Sequence, residues 1–340
     1  MEKLRCAVIG LGRLGYQHAA NLAGGIPQAE LVAVSDVSQS SLDRFSKDHP
    51  AVKQYRMYQD ILERDDIDAV VIASSTSSHG QVLKDTILSG KPAFLEKPLS
   101  LDWKEAVSLD ELTNEKRAFV QLGFMRRFDT AYVKAKDTIA GGKIGEAISI
   151  QCISRDPGCP PIAFAKTSGG LIMDLCVHDI DLCRWFFGTE VTEVYARGAV
   201  LRYPDLGEIG DIDHVNIDLT FANGKVASLE GSRNSQYGYD VRTEIVCSEG
   251  ALSIGGVQKQ GLSVHDGEGT CQASVQGFLE RFEGAYLKEM RQFVQDVASN
   301  KGVSRVGVVD GVKAMEIALA ANESMRLHKP ITIDEWKTEA

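Results

Sequence analysis

Three side chains, Lys97, Asp174 and His178, are the ones whose types and positions suit an oxidation of alcohols. Such a reaction removes the hydroxyl proton as hydride leaves carbon, and an imidazole with an ordinary pKa near ~6.5 is matched to that task. Asp174, His178 and Asp181 fall at i, i+4 and i+7 of a helix expected to begin near Gly170. That spacing gives them one face, so a carboxylate can orient and charge the imidazole. Lys97 lies in Glu96-Lys97-Pro98 at the end of a hydrophobic run, where an ammonium can hydrogen-bond the reacting oxygen and stabilise alkoxide character. Plainer roles fit the same residues: a helical ion pair for Asp174 and His178, and a surface pair with Glu96 for Lys97. A metal held by Asp174, Cys176, His178 and Asp181 is a further alternative, weakened because Cys176 points to another helix face. No metal is expected.

The second candidate site is Gly10-Leu11-Gly12-Arg13-Leu14-Gly15, a GxGxxG run that follows a hydrophobic strand and opens a helix. Gly10 permits the tight turn, Gly12 lets the backbone approach a pyrophosphate, and Gly15 lets helix and strand pack, with the helix N-terminus facing the phosphates. Asp36 ends the next strand about 20 residues on, where a carboxylate accepts both ribose hydroxyls of an adenosine. It would repel a 2′-phosphate, and Val37, Ser38, Gln39 and Ser40 offer no cation to hold one. NAD is the expected cofactor, in preference to NADP.

Positioning these groups requires a particular scaffold. Cys6 to Ile9, Leu31 to Ser35, Ala69 to Ala73, Ala93 to Glu96 and Phe119 to Gly123 read as buried parallel strands. Helices are expected over Gly15 to Ala23, Ser41 to Asp48, Ser78 to Leu88 and Trp103 to Lys116, giving repeated βα winding. After a helix from Asp129 to Ala140 the period changes. Ala147 to Ser154, Val194 to Val200, His214 to Phe221, Val226 to Ser232 and Val241 to Cys247 alternate as in an antiparallel sheet, with Asn223-Gly224 as a hairpin turn. Helices over Leu279 to Ala298 and Val309 to Leu327 and a short strand at Ile331 to Ile333 complete the chain. The fold class is α/β: an N-terminal doubly wound Rossmann sheet in residues 1–124, then an α+β domain with a mainly antiparallel sheet in residues 125–340.

Composition bounds the partners. At 340 residues, 44% hydrophobic and 25% charged, the chain suits two globular domains. A net charge of −10 opposes binding to polynucleotide phosphates, so no nucleic acid is expected. No apolar run approaches the roughly 18 residues that cross a bilayer. A strand and glycine turn at the start leave no room for a signal peptide, so a cytoplasmic protein with no membrane partner is expected. Its seven cysteines are odd in number and scattered, with no CxxC pair, which reads as reduced thiols.

Taken together, Glu96-Lys97-Pro98, Gly123-Phe124-Met125-Arg126-Arg127-Phe128-Asp129 and the run from Ser168 to Asp181 resemble the Gfo/Idh/MocA family, particularly its inositol-oxidising branch, along nearly the whole chain. The resemblance implies that Lys97, Asp174 and His178 form the catalytic set, that the Lys97-Pro98 peptide is cis, and that the second domain, with its large open sheet, supports a homotetramer. It places Ser74, His79, Glu96, Lys97 and Arg126 with Gly10, Gly12, Arg13, Leu14, Gly15 and Asp36 around NAD. It places Lys97, Arg127, Asp156, Asp174, His178, Tyr237 and Tyr286 around a cyclitol. The implied reaction moves hydride from a ring CH–OH of myo-inositol or scyllo-inositol to NAD, giving an inosose and NADH. Ser154 and Asp156 depart from the His-Arg-Asn-Pro run of some inositol dehydrogenases, leaving the preferred polyol open. A pyranose sugar is the alternative substrate, and a catalytically idle NAD-binding sensor the alternative function on the same fold.

Overall fold

Short β-branched runs with no polar interruption fold as strands buried on both faces, and such runs recur through the first third of the chain. The structure, a computed structural model, describes residues 2–267 and 269–339. Its contacts divide the chain into two compact units, Met1–Phe128 with Gly284–Lys313, and Asp129–Glu283 with Ala314–Ala340.

In the N-terminal unit, β1 (Leu4–Ile9), β2 (Ala29–Ser35), β3 (Lys53–Tyr55), β4 (Ala69–Ile72), β5 (Ala93–Leu95) and β6 (Val120–Leu122) form one sheet in the order β3-β2-β1-β4-β5-β6. Every pairing is parallel. The order doubles back between β1 and β4, the switch point where open α/β sheets bind ligands at the carboxyl ends of their strands. The connecting helices are α1 (Arg13–Ala20), α2 (Gln39–Asp48), α3 (Gln59–Leu62), α4 (His79–Leu88) and α5 (Trp103–Lys116). Ser38 and Asp102 cap α2 and α5, each accepting from the backbone N–H three residues on.

One core cluster joins Cys6, Val8, Leu31, Phe45, Val71 and Phe94 to Met290, Phe293 and Val294. Those last three residues explain why the compact units do not follow one cut at 124/125. Gly284–Lys313 supplies an apolar helix face to the first sheet and so belongs with it.

The C-terminal unit opens with α6 (Thr130–Ala140), capped by Asp129, whose carboxylate accepts from Ala131 and Tyr132 N–H. Then follow β7 (Ala147–Arg155), α7 (Ile162–Ser168), a π-helical turn (Ile172–Cys176), α8 (Val177–Phe187), β8 (Val191–Ala199), α9 (Pro204–Glu208), β9 (His214–Phe221), β10 (Val226–Ser232), β11 (Asp240–Cys247) and β12 (Gly250–Gly255). A separate hairpin, β13 (Gln258–Asp266) with β14 (Gly269–Ser274), is followed along the chain by α10 (Phe278–Ala298) and α11 (Val308–Leu327), of which Gly284–Lys313 belongs to the N-terminal unit, and then by β15 (Ile331–Thr332) and α12 (Ile333–Glu339). The large sheet runs β12-β11-β7-β10-β9-β8-β15 and is antiparallel except where β10 meets β7.

Burial alternates along β9 and β11 as a one-sided sheet requires. On the covered side α8 packs against β7 and β10. On the other, Ile148, Val226 and Val246 are 40–51% exposed. Among the described residues no helix is long and apolar enough to cross a membrane, and none of the seven cysteines is in a disulfide.

Candidate active site

The glycine turn of the N-terminal unit shows why each glycine stands where it does. Gly10 has φ +92, and a Cβ there would lie 2.5 Å from the Ala73 carbonyl oxygen and 2.6 Å from Ser74 Cα. A Cβ on Gly15 would lie 2.0 Å from the Gly10 oxygen, so helix and strand could not close. Gly12 caps α1, and a Cβ there would meet nothing within 4 Å. The space beside Gly12 is therefore free for a ligand, in front of the unsatisfied N–H groups of the helix start. Arg13 beside it is exposed and Leu14 half-buried.

Asp36 is fixed over this turn, since one carboxylate oxygen accepts from Leu11 N–H (2.6 Å) and the other from Ser38 N–H (2.7 Å). Each oxygen keeps a lone pair for a ribose hydroxyl, and these residues fit the adenosine half of NAD. Two cations stand close by from outside the 37–40 stretch: Arg44 donates to the Leu11 carbonyl (2.9 Å) and Arg56 to that of Val37.

The ends of β4 and β5 meet the same crevice. Ser74 shares a hydrogen bond with Ser78, at 2.8 Å between their Oγ atoms. His79 is buried, with Nδ1 2.7 Å from the Pro98 oxygen and Nε2 3.3 Å from the Ser74 oxygen. Burial pushes its pKa down. His79 thus braces two strand ends. The Lys97-Pro98 peptide is cis. Lys97 is half-buried, and its backbone N–H donates to the Glu96 carboxylate (3.3 Å). Glu96 pairs in turn with His18 (2.7 Å), in a buried group completed by Glu289. Neither Glu289 oxygen has a hydrogen-bond partner. Burial, and the Glu96 charge after it, hold the Glu289 carboxyl well above the usual carboxylate range. Arg126 is buried, and Arg127 is paired with Asp310 at 2.9 Å.

Asp174 and His178 belong to the other unit, in a segment whose start is set by Gly169 (φ +85) and Gly170 (φ +79). A Cβ on Gly170 would lie 2.8 Å from the Asp211 carboxylate, which accepts the Leu171 N–H (2.9 Å) and caps the helix from outside. The helix begins where the sequence places it, but Asp174 lies in the π-helical turn, closed by Val177 N–H to Ile172 O, and His178 lies in α8. The 3.6-residue period is broken there, so the i, i+4, i+7 argument does not carry across the turn. A π turn widens one turn by a residue, a feature recurrent at functional sites. His178 is buried and Asp174 half-buried. Cys176 is directed at β10, since a Cβ on Gly231 would lie 2.4 Å from its Sγ.

A fully buried arginine, Arg233, links two of the expected residues, its guanidinium reaching Asp174 and Asp156 at 3.3 Å each. The two expected tyrosines are placed differently from each other. Tyr237 is half exposed; its hydroxyl donates to Asp240 and accepts from Arg155, both at 2.8 Å. Tyr286 is buried in the N-terminal unit, edge-on to His18.

Residues 4–124 match the family model described as "Oxidoreductase family, NAD-binding Rossmann fold", and residues 132–253 match the GFO/IDH/MocA C-terminal domain. The chain belongs to the GFO/IDH/MocA oxidoreductase family. Among members of that family, it is 36% identical to the scyllo-inositol 2-dehydrogenase (NAD(+)) of Bacillus subtilis, covering 98% of this chain and 97% of that one. It is 34% identical to the myo-inositol 2-dehydrogenase of Thermotoga maritima, covering 98% and 99%. The scyllo-inositol dehydrogenase of Lactobacillus casei, solved with bound NAD(H) and scyllo-inositol, superposes with a TM-score of 0.92 at 34% identity, covering 98% of this chain and all of that one.

Sequence reasoning about this family member passed over Arg233, His18 and Glu289. The signal for Arg233 is a cation directly after the small residues Gly231 and Ser232, at a strand end. His18 and Glu289 lie 271 positions apart, and nothing in either neighbourhood shows that they share a buried pocket.

Proposed function

We propose that this chain is an NAD-dependent inositol dehydrogenase that moves hydride from a ring CH–OH of scyllo-inositol or myo-inositol to NAD, yielding an inosose and NADH. The observation that carries it is the likeness, over essentially the full length, to a structure holding NAD(H) and scyllo-inositol. Bound NAD supplies the hydride acceptor, C4 of its nicotinamide ring. Gly10, Gly12, Arg13, Leu14, Gly15, Asp36, Ser74, Glu96 and Arg126 hold that cofactor, with His79 bracing the strand ends beside it.

Lys97 donates a hydrogen bond to the reacting oxygen, His178 takes the hydroxyl proton, and Asp174 orients and charges the imidazole. The O–H electron pair becomes the second C–O bond as the C–H pair departs with hydride. Arg127 and Asp156 meet the remaining hydroxyls, with Tyr237 and Tyr286 as further contacts. The half-exposed Ile148, Val226 and Val246 on the outer sheet face support a homotetramer. The free thiols suit a reducing, cytoplasmic compartment.

NADH formation followed across a panel of cyclitols and aldoses tests the reading. Highest kcat/KM on an inositol supports it. Preference for a pyranose, or NAD binding with no turnover of any polyol, would replace it by one of the two alternatives. Light scattering should report a species near four times 37.0 kDa, and an active monomer would remove the oligomer.

A further inference from the structure

Arg233 follows the last residue of β10 and has no exposed side-chain surface. A guanidinium withdrawn from water is tolerated only where carboxylates replace its hydration. Here Nη1 donates to Asp156 and Nη2 to Asp174, each at 3.3 Å, from two nitrogens of one rigid plane. The two carboxyl groups are 25% and 19% exposed, so the arginine is sealed while its partners are not.

The backbone around this fork is fixed as well. Arg233 N–H donates to the Asp213 oxygen (2.9 Å), Asp156 N–H to the Ser232 oxygen (2.8 Å), and Ser235 N–H to the Asp156 oxygen (2.9 Å). Asp213 in turn accepts from the N–H groups of Leu201, Arg202 and Tyr203 and from the Asn234 amide. The cation therefore stands at a joint where β7, β9 and β10 are tied together.

We propose that Arg233 is a positioning residue for hydride transfer: its guanidinium holds the carboxylates of Asp174 and Asp156 at a fixed separation. The first then steadies the His178 base while the second meets substrate hydroxyls. This rests on the roles given above to Asp156, Asp174 and His178. The physical need is plain, because two neighbouring carboxylates repel, and a cation between them offsets that repulsion. A lysine would keep the charge but could not hold two acceptors in one plane.

The test uses the full chain with Arg233→Met and Arg233→Lys, each also combined with Asp174→Asn. Displacing a reacting group by about 1 Å costs roughly 10²-fold, so Arg233→Met should lower kcat on the preferred polyol by about that factor. Loss of a charged hydrogen bond at Asp156 should raise KM about tenfold. Arg233→Lys should lie between parent and Met variant, and it carries the same comparison if the Met variant does not fold. With Asp174→Asn already present, the effect of Arg233→Lys on kcat should shrink to about twofold or less, because the carboxylate it positions has lost its charge. Equal fold-losses in both backgrounds, or kcat and KM unchanged in Arg233→Lys, would overturn the proposal.

If the parent oxidises no polyol, the functional reading fails by itself. The crystal structure of Arg233→Lys then decides about Arg233: carboxylates displaced by more than about 0.5 Å support positioning, and carboxylates left in place refute it.

Discussion

In the N-terminal unit Gly10, Gly12 and Gly15 shape a turn by leaving side chains out, while in the C-terminal unit Arg233 joins Asp156 and Asp174 by packing charges together. The first depends on where a Cβ would collide, within one short loop. The second depends on three residues, Asp156, Asp174 and Arg233, supplied by the end of β7, the helix that begins at Gly170 and the end of β10. Damage should follow that difference. The glycine turn should separate folding from cofactor binding residue by residue, and the charged cluster should lose chemistry while the cofactor still binds.

The largest effect is expected at His178. His178→Ala should lose roughly 10²- to 10⁴-fold in kcat, the range for removing a general base, with NAD affinity by calorimetry unchanged. Near-parental turnover would leave Lys97 as the base. The comparison becomes sharper within the turn itself. Gly15→Ala pushes a Cβ to 2.0 Å from a backbone oxygen and should cost about 1–3 kcal/mol or more, seen as a Tm lowered by several degrees. Gly12→Ala meets no protein atom and should leave Tm unmoved while weakening NAD. Parallel behaviour of the two variants would break the distinction.

Next in size is Asp36→Ser, which removes one charged hydrogen-bond acceptor and one repulsion. NAD should weaken about tenfold while NADP improves relative to it. Arg56, lying against Val37, gives the improvement a physical source. Combining it with Arg56→Ala should therefore abolish the gain for NADP but leave the loss for NAD. An unchanged NADP gain in the double variant would remove Arg56 from the account.

The smallest effect concerns Glu289. Its carboxyl is held above the ordinary value of 4.5 by burial and by Glu96, with His18 completing the group. A group raised in the folded state contributes fully below its unfolded pKa, and that contribution is lost as pH rises through the folded value. Glu289→Gln cannot ionise, so its stability relative to the parent should rise as pH increases above about 4.5. A Tm difference that is flat with pH would show that Glu289 titrates normally.

These contrasts also mark what each kind of signal reveals. Trp103–Lys116, His214–Phe221 and Val226–Ser232 run between the residues that their apolar period and turn signals indicate. β3 (Lys53–Tyr55) was not anticipated, because three edge residues with half-exposed side chains carry no period. Nor was the β13–β14 hairpin, whose second strand is almost entirely exposed and shows no buried stripe.

The sequence by itself determined the glycine turn, because the reasons for Gly10, Gly12, Gly15 and Asp36 are local: backbone φ, Cβ clearance, and a fixed spacing along a βαβ unit. It also indicated Lys97, Asp174 and His178 through residue type and context. Only the tertiary structure decided that Asp174 sits in a π-helical turn, that Gly284–Lys313 completes the first core, and that Arg233 spans Asp156 and Asp174. Those outcomes depend on contacts between segments tens to hundreds of residues apart, where burial and charge neutralisation are set by partners that no local pattern encodes.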